Sequence, residues 1–166
     1  MATADIILYT DGAALGNPGP GGYGVVLKSG PHRKELSGGF FKTTNNRMEL
    51  LAVIVGLSAL KKAPSSVLVY SDSKYVVDAV EKRWLYGWEK KGFQNKGSQR
   101  INTDLWKYLL QVMRRHQVRF QWVKGHAGNP ENERCDTLAV DAAHHPTQRD
   151  LGYEEGKDAP SAMLPF

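Results

Sequence analysis

Several things this sequence lacks narrow its reading. It has one cysteine, Cys135, so no disulfide can form within the chain and no covalent cross-link holds the fold. A lone thiol fits a reducing compartment, and a cytoplasmic location is the expectation. The five histidines and the cysteine show no zinc-ligand spacing. The glycines at 16–22 lack the GxxxxGK[ST] order of a nucleotide-binding P-loop. No apolar run approaches the length of a membrane span, so no membrane partner is expected. The opening stretch, MATADIILYTDG, has no basic segment leading into a long apolar one, and no signal peptide is expected. Internal repeats and an interdomain linker are also missing.

What is present describes an ordinary globular chain. Its 166 residues, 41% hydrophobic and 23% charged, suit one domain able to bury a core without staples. The net charge of +5 is unevenly spread. Residues 82–124 carry eleven Lys/Arg and two acids, a segment of +9 that leaves −4 on the rest. A basic segment on an acidic body points to a polyanionic partner, with a solvated helix face as the bland alternative.

Residues 5–10 (DIILYT), 23–28 (YGVVLK) and 33–41 (RKELSGGFF) read as strands of an antiparallel meander, with GNPGPGG at 16–22 as a loop. A helix begins near Thr44–Asn46, runs through MELLAVIVGLSALKK and stops before Pro64; being apolar almost all round, it is buried against a sheet. SVLVYS at 66–71 is a compact strand, followed by a helix capped by Ser71, Asp72 or Ser73. That alternation predicts parallel pairing through a crossover. Residues 84–99 form a protruding helix-and-loop element, 102–116 an amphipathic helix and 118–123 a strand. Asn129-Pro130 caps and opens a helix running to about Ala143. Residues 147–166 read as a loosely attached or disordered tail, leaving a domain of 1–146 with its basic protrusion at about 82–100.

Four acids hold unusual positions. Asp11 ends the first strand, Glu49 interrupts an apolar helix, Asp72 ends the buried strand, and Asp136 lies early in the last helix. Strand ends and facing helix starts converge in mixed α/β sheets. Carboxylates gathered there repel one another, and a divalent cation such as Mg²⁺ relieves the cost. Two such ions can activate a water and stabilise a leaving oxygen in phosphodiester hydrolysis. Each acid also has a bland role: a turn pair for Asp11-Gly12, a polar helix edge for Glu49, a cap for Asp72, an ion pair or solvent for Asp136. The residues alone therefore reach a candidate metal site. His126, in the loop KGHAG, is either a surface histidine or a proton-moving group.

TDGAALGNPGPGGYG at 10–24, TTNNRMEL at 43–50, SDSKYV at 71–76 and VKGHAGNPENERCDTLA at 123–139 resemble, in order and spacing, the hallmark segments of bacterial type-1 ribonuclease H. The resemblance covers roughly residues 5–145. It implies an α/β fold of the ribonuclease H type, a five-stranded mixed sheet flanked by helices. It implies an endoribonuclease that hydrolyses the RNA strand of RNA–DNA hybrids with two Mg²⁺ ions (Mn²⁺ as a possible substitute), leaving 5′-phosphate and 3′-hydroxyl ends. The metal ligands would be Asp11, Glu49, Asp72 and Asp136, with His126 assisting proton transfer or product release. Asn17, Asn45 and Asn46 match positions that read the hybrid's minor groove, where 2′-hydroxyls tell RNA from DNA. Glu49 would contact a 2′-hydroxyl too, while Lys42, Thr44 and Asn102 match a pocket for a DNA-strand phosphate. Trp84, Trp88, Lys90, Lys91 and Phe93 fall in the family's basic protrusion, with core anchoring as the other reading of the two tryptophans. A monomer is the simplest form.

The chain also departs from the family pattern. Lys42 stands where arginine is common, and a lysine cannot grip phosphate in two prongs. Lys74 stands where glutamine or asparagine often contacts RNA. Ala14 replaces a cysteine, and Asn129 a histidine, found in some relatives. Two further classes compete with this reading. A binding module with a dead site fits the basic segment but not four retained carboxylates. A different nuclease or a transposase on the same core fits the acids but not Asn45-Asn46 with a basic protrusion.

Overall fold

The computed structural model describes residues 4–125 and 128–155. Strands β1 (Ile6–Ala14), β2 (Gly19–Ser29) and β3 (His32–Thr43) form the antiparallel meander. Helix α1 (Asn45–Ser58) leads to β4 (Ser66–Ser71), which pairs parallel to β1, and then to α2 (Lys74–Glu81). The protrusion follows as α3 (Trp84–Lys90) and a short hairpin, β5 (Gln94–Asn95) with β6 (Ser98–Gln99). Helix α4 (Thr103–Met113) precedes β7 (Gln117–Trp122), parallel to β4, and the chain continues through α5 (Pro130–His144) and α6 (Leu151–Glu155). Sheet order is β3-β2-β1-β4-β7, a mixed five-stranded sheet with helices on both faces.

Helix α1 is buried from Arg47 to Leu57 without a break, because β1 and β2 cover one side and α4 covers another. Its even apolar circumference is thus the pattern of a helix with little exposed face. It ends at Ser58, earlier than its apolar run suggests, because the Ala59 and Leu60 amides turn back onto Val55 and Leu57 carbonyls. On the opposite face α5 crosses β1, β2 and β3. A side chain at Gly24 would collide with the Cys135 carbonyl, so that glycine sets how closely α5 can lie.

The glycines read as a loop are therefore partly strand. Gly21 and Gly22 pair with Ala14 and Ala13, lengthening both β1 and β2. Chain-local rules treat glycine as punctuation, whereas here the sheet needs residues without a Cβ beneath a helix.

The expectation of a loose tail from residue 147 is corrected over 147–155. The Thr147 and Gln148 amides bond the Gly39 carbonyl, and Phe41 bonds Gln148 in return. Asp150 is fully buried, receives Arg47 Nε at 2.7 Å and Nη2 at 2.9 Å, and accepts the Thr43 hydroxyl at 2.6 Å. Arg47 also donates to both oxygens of Asp104 on α4, at 2.8 and 2.7 Å. The proline content and acidity of this stretch gave no hint that one of its acids closes a buried ion network. Residues 156–166 lie outside the described residues.

Candidate active site

Each acidic side chain is delivered by a different element. Asp11 lies inside β1 near its end, paired opposite Gly24, and is not a turn residue. Glu49 comes from the first turns of α1, which starts where the Thr44 hydroxyl accepts the Arg47 amide at 3.3 Å. Asp72 follows β4; the cap of α2 is Ser73, whose Oγ accepts the Val76 amide, leaving the Asp72 carboxylate to the site. Asp136 projects from α5, whose start is fixed by Asn129 Oδ1 accepting two amides with Pro130 in the first turn.

Asp11, Glu49 and Asp72 each offer an oxygen within 4.8 Å of the others. Asp136 stands outside that group but lines the same cleft of about 350 Å³, with Gly12, Ala13, Ala14, Asn45 and Ser73. The Gly12 amide donates to Asp11 Oδ1 at 2.9 Å and to Glu49 Oε1 at 2.6 Å. That forked contact requires α1 to touch β1, and a side chain at Gly12 would strike the Glu49 backbone. Trp122, at the end of β7, donates its indole N–H to the Asp72 carbonyl at 3.1 Å.

The electrostatics match a site built for cations. Burial, then the neighbouring Asp72 and Asp136 charges, push Asp11 up to about 7 against the lowering pull of its hydrogen bonds. Burial and the facing Asp11 carboxyl hold Glu49 well above the usual range. Glu49 Oε2 is buried with no hydrogen-bond partner among the described residues. An orphaned carboxylate oxygen among like charges is costly, and a hard divalent cation removes that cost. An all-oxygen donor set of this kind suits Mg²⁺ or Mn²⁺.

The remaining expected site residues fall in three places. Asn17 and Asn45 meet beside the cleft, where Asn17 Oδ1 accepts the Asn45 amide at 3.1 Å, and Asn46 is exposed next to them. Asn102 sits farther along, its Nδ2 donating to the Tyr75 hydroxyl at 3.0 Å and its Oδ1 accepting Arg47 Nη1 at 3.2 Å. Lys42 is exposed at the end of β3, two residues before Thr44. On the protrusion Lys90 and Lys91 are exposed, and a second cleft of about 380 Å³ is lined by Tyr75, Trp84, Trp88 and Arg100 among others. The two tryptophans differ there. Trp88 packs edge-on against core Trp106, centroids 5.4 Å apart, with the Arg100 guanidinium over its ring, whereas Trp84 is 48% exposed. Phe93 is buried as an anchor of the protrusion. His126 lies outside the described residues.

Reading the sequence missed the contributors that act through backbone or across elements. Asp104, Asp150 and Trp122 lie outside the four hallmark segments, and Gly12 and Arg47 lie inside them without a role that the segment itself reveals. Only the polar side chains at Arg47 and Asp104, each inside an apolar helical stretch, mark an oddity.

Comparison with known proteins agrees with this geometry. The RNase H family model matches residues 3–144. A ribonuclease H of Desulforamulus reducens is 59% identical over 143 residues, 86% of this chain and 89% of that protein. One from Trichodesmium erythraeum is 55% identical over 152 residues, 90% of this chain and 96% of that protein. Among solved structures, LC9-RNase H1, described as a type 1 RNase H with the type 2 active-site motif, aligns with a TM-score of 0.79 at 35% identity, covering 98% of this chain and 87% of that one. LC11-RNase H1, solved in complex with an RNA/DNA hybrid, aligns with a TM-score of 0.65 at 26% identity over 84% of this chain and 97% of that one. The α/β fold is the ribonuclease H fold, and this chain belongs to the ribonuclease H family as a nuclease.

Proposed function

We propose that this chain is an endoribonuclease that hydrolyses the RNA strand of RNA–DNA hybrids with two divalent ions, Mg²⁺ by preference. The observation that carries the reading is the cleft where Asp11, Glu49, Asp72 and Asp136 meet beside Asn45, with Glu49 Oε2 buried and unpartnered. Those four carboxylates would hold the metals, which when bound supply a water of lowered pKa and neutralise charge on the leaving oxygen. The water oxygen bonds to phosphorus, the P–O3′ bond breaks and O3′ takes a proton, leaving a 5′-phosphate and a 3′-hydroxyl. His126 is assigned to moving that proton or releasing product, on the family resemblance.

The chain's own groups set specificity. Asn17, Asn45, Asn46 and Glu49 are assigned to the minor groove, where the 2′-hydroxyl distinguishes the strand to be cut. Lys42, Thr44 and Asn102 are assigned to a DNA-strand phosphate. Trp84, Lys90 and Lys91 are assigned to the same strand farther along, where lysines contact phosphates and an exposed ring packs on sugar. Trp88 shares that cleft and also supports it from behind. All four carboxylates come from one chain, which supports a monomer, and one cysteine suits the cytoplasm. Hybrid recognition is supported by the neighbouring fold solved with such a duplex.

The test is cleavage of labelled RNA–DNA hybrid, double-stranded RNA, single-stranded RNA and double-stranded DNA, each with Mg²⁺ and with a chelator. Cutting confined to the RNA of the hybrid, and abolished by chelator, is expected. Metal-independent cutting, or tight hybrid binding without cutting, would overturn it.

A further inference from the structure

Two buried hydroxyls stand directly before two of the acids. Thr10 precedes Asp11 on β1, Ser71 precedes Asp72 at the end of β4, and each is 1% exposed. A polar side chain buried so deeply needs a partner, and each has one. Thr10 Oγ1 donates to the Tyr70 carbonyl at 3.3 Å, and Ser71 Oγ accepts the Ser73 amide at 3.1 Å.

Their place in the sheet gives these bonds a consequence. Backbone pairing between β1 and β4 runs from Ile6 with Val67 to Tyr9 with Tyr70 and stops there. Beyond that point β1 stays with β2 as far as Ala14, and β4 stays with β7 as far as Ser71. The two central strands therefore part just before their acids. The parting opens the cleft, but it also removes the ladder that holds neighbouring strands about 4.8 Å apart. The Thr10 hydroxyl bridges the two strands at the root of this gap. On the far side Ser71 Oγ fixes the turn that contains Asp72, whose carbonyl accepts the Trp122 indole N–H. Asp11 and Asp72 offer oxygens within 4.8 Å of each other above these bonds.

We propose that Thr10 and Ser71 are positioning residues whose hydroxyls set the separation of Asp11 and Asp72, and so select the size of cation that the cleft holds. That role rests on the metal-dependent function above and deepens it. Each hydroxyl acts through the backbone beside an acid, as groups behind metal ligands commonly do. Mg²⁺ demands near-octahedral oxygen ligands at about 2.0–2.1 Å, whereas Ca²⁺ accepts looser geometry at about 2.3–2.6 Å. A gap held to a fraction of an ångström favours the smaller ion, and a loosened gap loses that preference first.

The test is calorimetric titration of the free protein with Mg²⁺ and, separately, with Ca²⁺, beside steady-state cleavage of hybrid. Thr10→Val keeps the volume and loses the hydroxyl, and Ser71→Ala loses the acceptor. Each is expected to weaken Mg²⁺ binding about tenfold and Ca²⁺ binding less than about threefold. Each should also lower kcat about tenfold while KM for the hybrid stays unchanged. Thr10→Ser and Ser71→Thr keep the hydroxyl and are expected to retain the wild-type ratio of Mg²⁺ to Ca²⁺ affinity. An unchanged ratio in Thr10→Val or in Ser71→Ala overturns that residue's role, whether both affinities fall together or neither falls. A ratio lost equally in the hydroxyl-keeping variants also overturns it, by tracing the effect to packing. Wild-type protein that binds neither ion would instead overturn the metal reading itself, and the role of both hydroxyls with it. Thermal melts of all four variants separate these outcomes from misfolding.

Discussion

At the residue scale the site is a compromise between fold and chemistry. Asp11 and Glu49 are buried beside each other, joined by the single Gly12 amide. Burial first, and then the neighbouring carboxylate charges, make ionisation costly in the metal-free protein. Asp11→Asn should therefore abolish cleavage and, measured in chelator near neutral pH, raise stability by about 1 kcal/mol, a Tm rise of about 3 °C. Near-normal turnover in that variant would refute the metal assignment, and a lower Tm would refute the repulsion. Lys90 and Lys91 should behave differently. Both are exposed on the protrusion and neither lines the carboxylate cleft, so any binding they supply should be the same in ground and transition states. KM should rise more than kcat falls; an unchanged KM at moderate salt would dismiss the pair as phosphate contacts.

At the element scale the decisive joint is the ion network of Arg47, Asp104 and Asp150. It ties the start of α1 to α4 and to the segment entering α6, and through Asn102 it reaches Tyr75 in the first turn of α2. The α1 start carries Asn45 and Glu49, so the network holds the end of the helix that lines the carboxylate cleft. Removing one member strands buried charge. Asp150→Ala should cost about 3–5 kcal/mol in urea unfolding, in the range of other broken buried pairs. A loss below about 1 kcal/mol would mean that water enters and replaces the carboxylate. No local pattern announces the joint, because each member's partners lie tens of residues away.

At the scale of the whole molecule, α5 is fastened to the outer strands by surface charge. Glu131 meets Lys28 and Arg33, and Glu35 meets Arg33 and Arg134, all at 2.7–3.0 Å. The arginines hold Glu35 and Glu131 down to about 2. Because their folded values lie below the unfolded ones, this support is complete above about 4.5 and is lost as pH falls towards about 2. Glu35→Gln should accordingly show a shallower fall in Tm across that acid window than the parent, with the difference shrinking in high salt. Equal slopes would show that the exposed network contributes nothing. On the same scale, the +9 segment against a −4 remainder makes the charge of the chain uneven, the pattern that attracts a polyanion to one part of a surface.

Much of this was legible in the chain because it is local. The order of the five main strands and the helices between them, the Asn129-Pro130 helix start and the strand 66–71 follow from periodicity, caps and turn chemistry, which act over a few residues. Other features were decided only when distant segments met. The glycines of 19–22 became strand because the sheet needs close approach; residues 147–155 became part of the body because Asp150 completes a buried charge. Asp11, Glu49, Asp72 and Asp136 line one cleft because β1, the start of α1, the end of β4 and α5 meet there. A sequence determines which groups are available and how each short stretch is shaped. Their separation in space depends on packing, and at these distances packing decides whether four carboxylates are surface charges or a metal site.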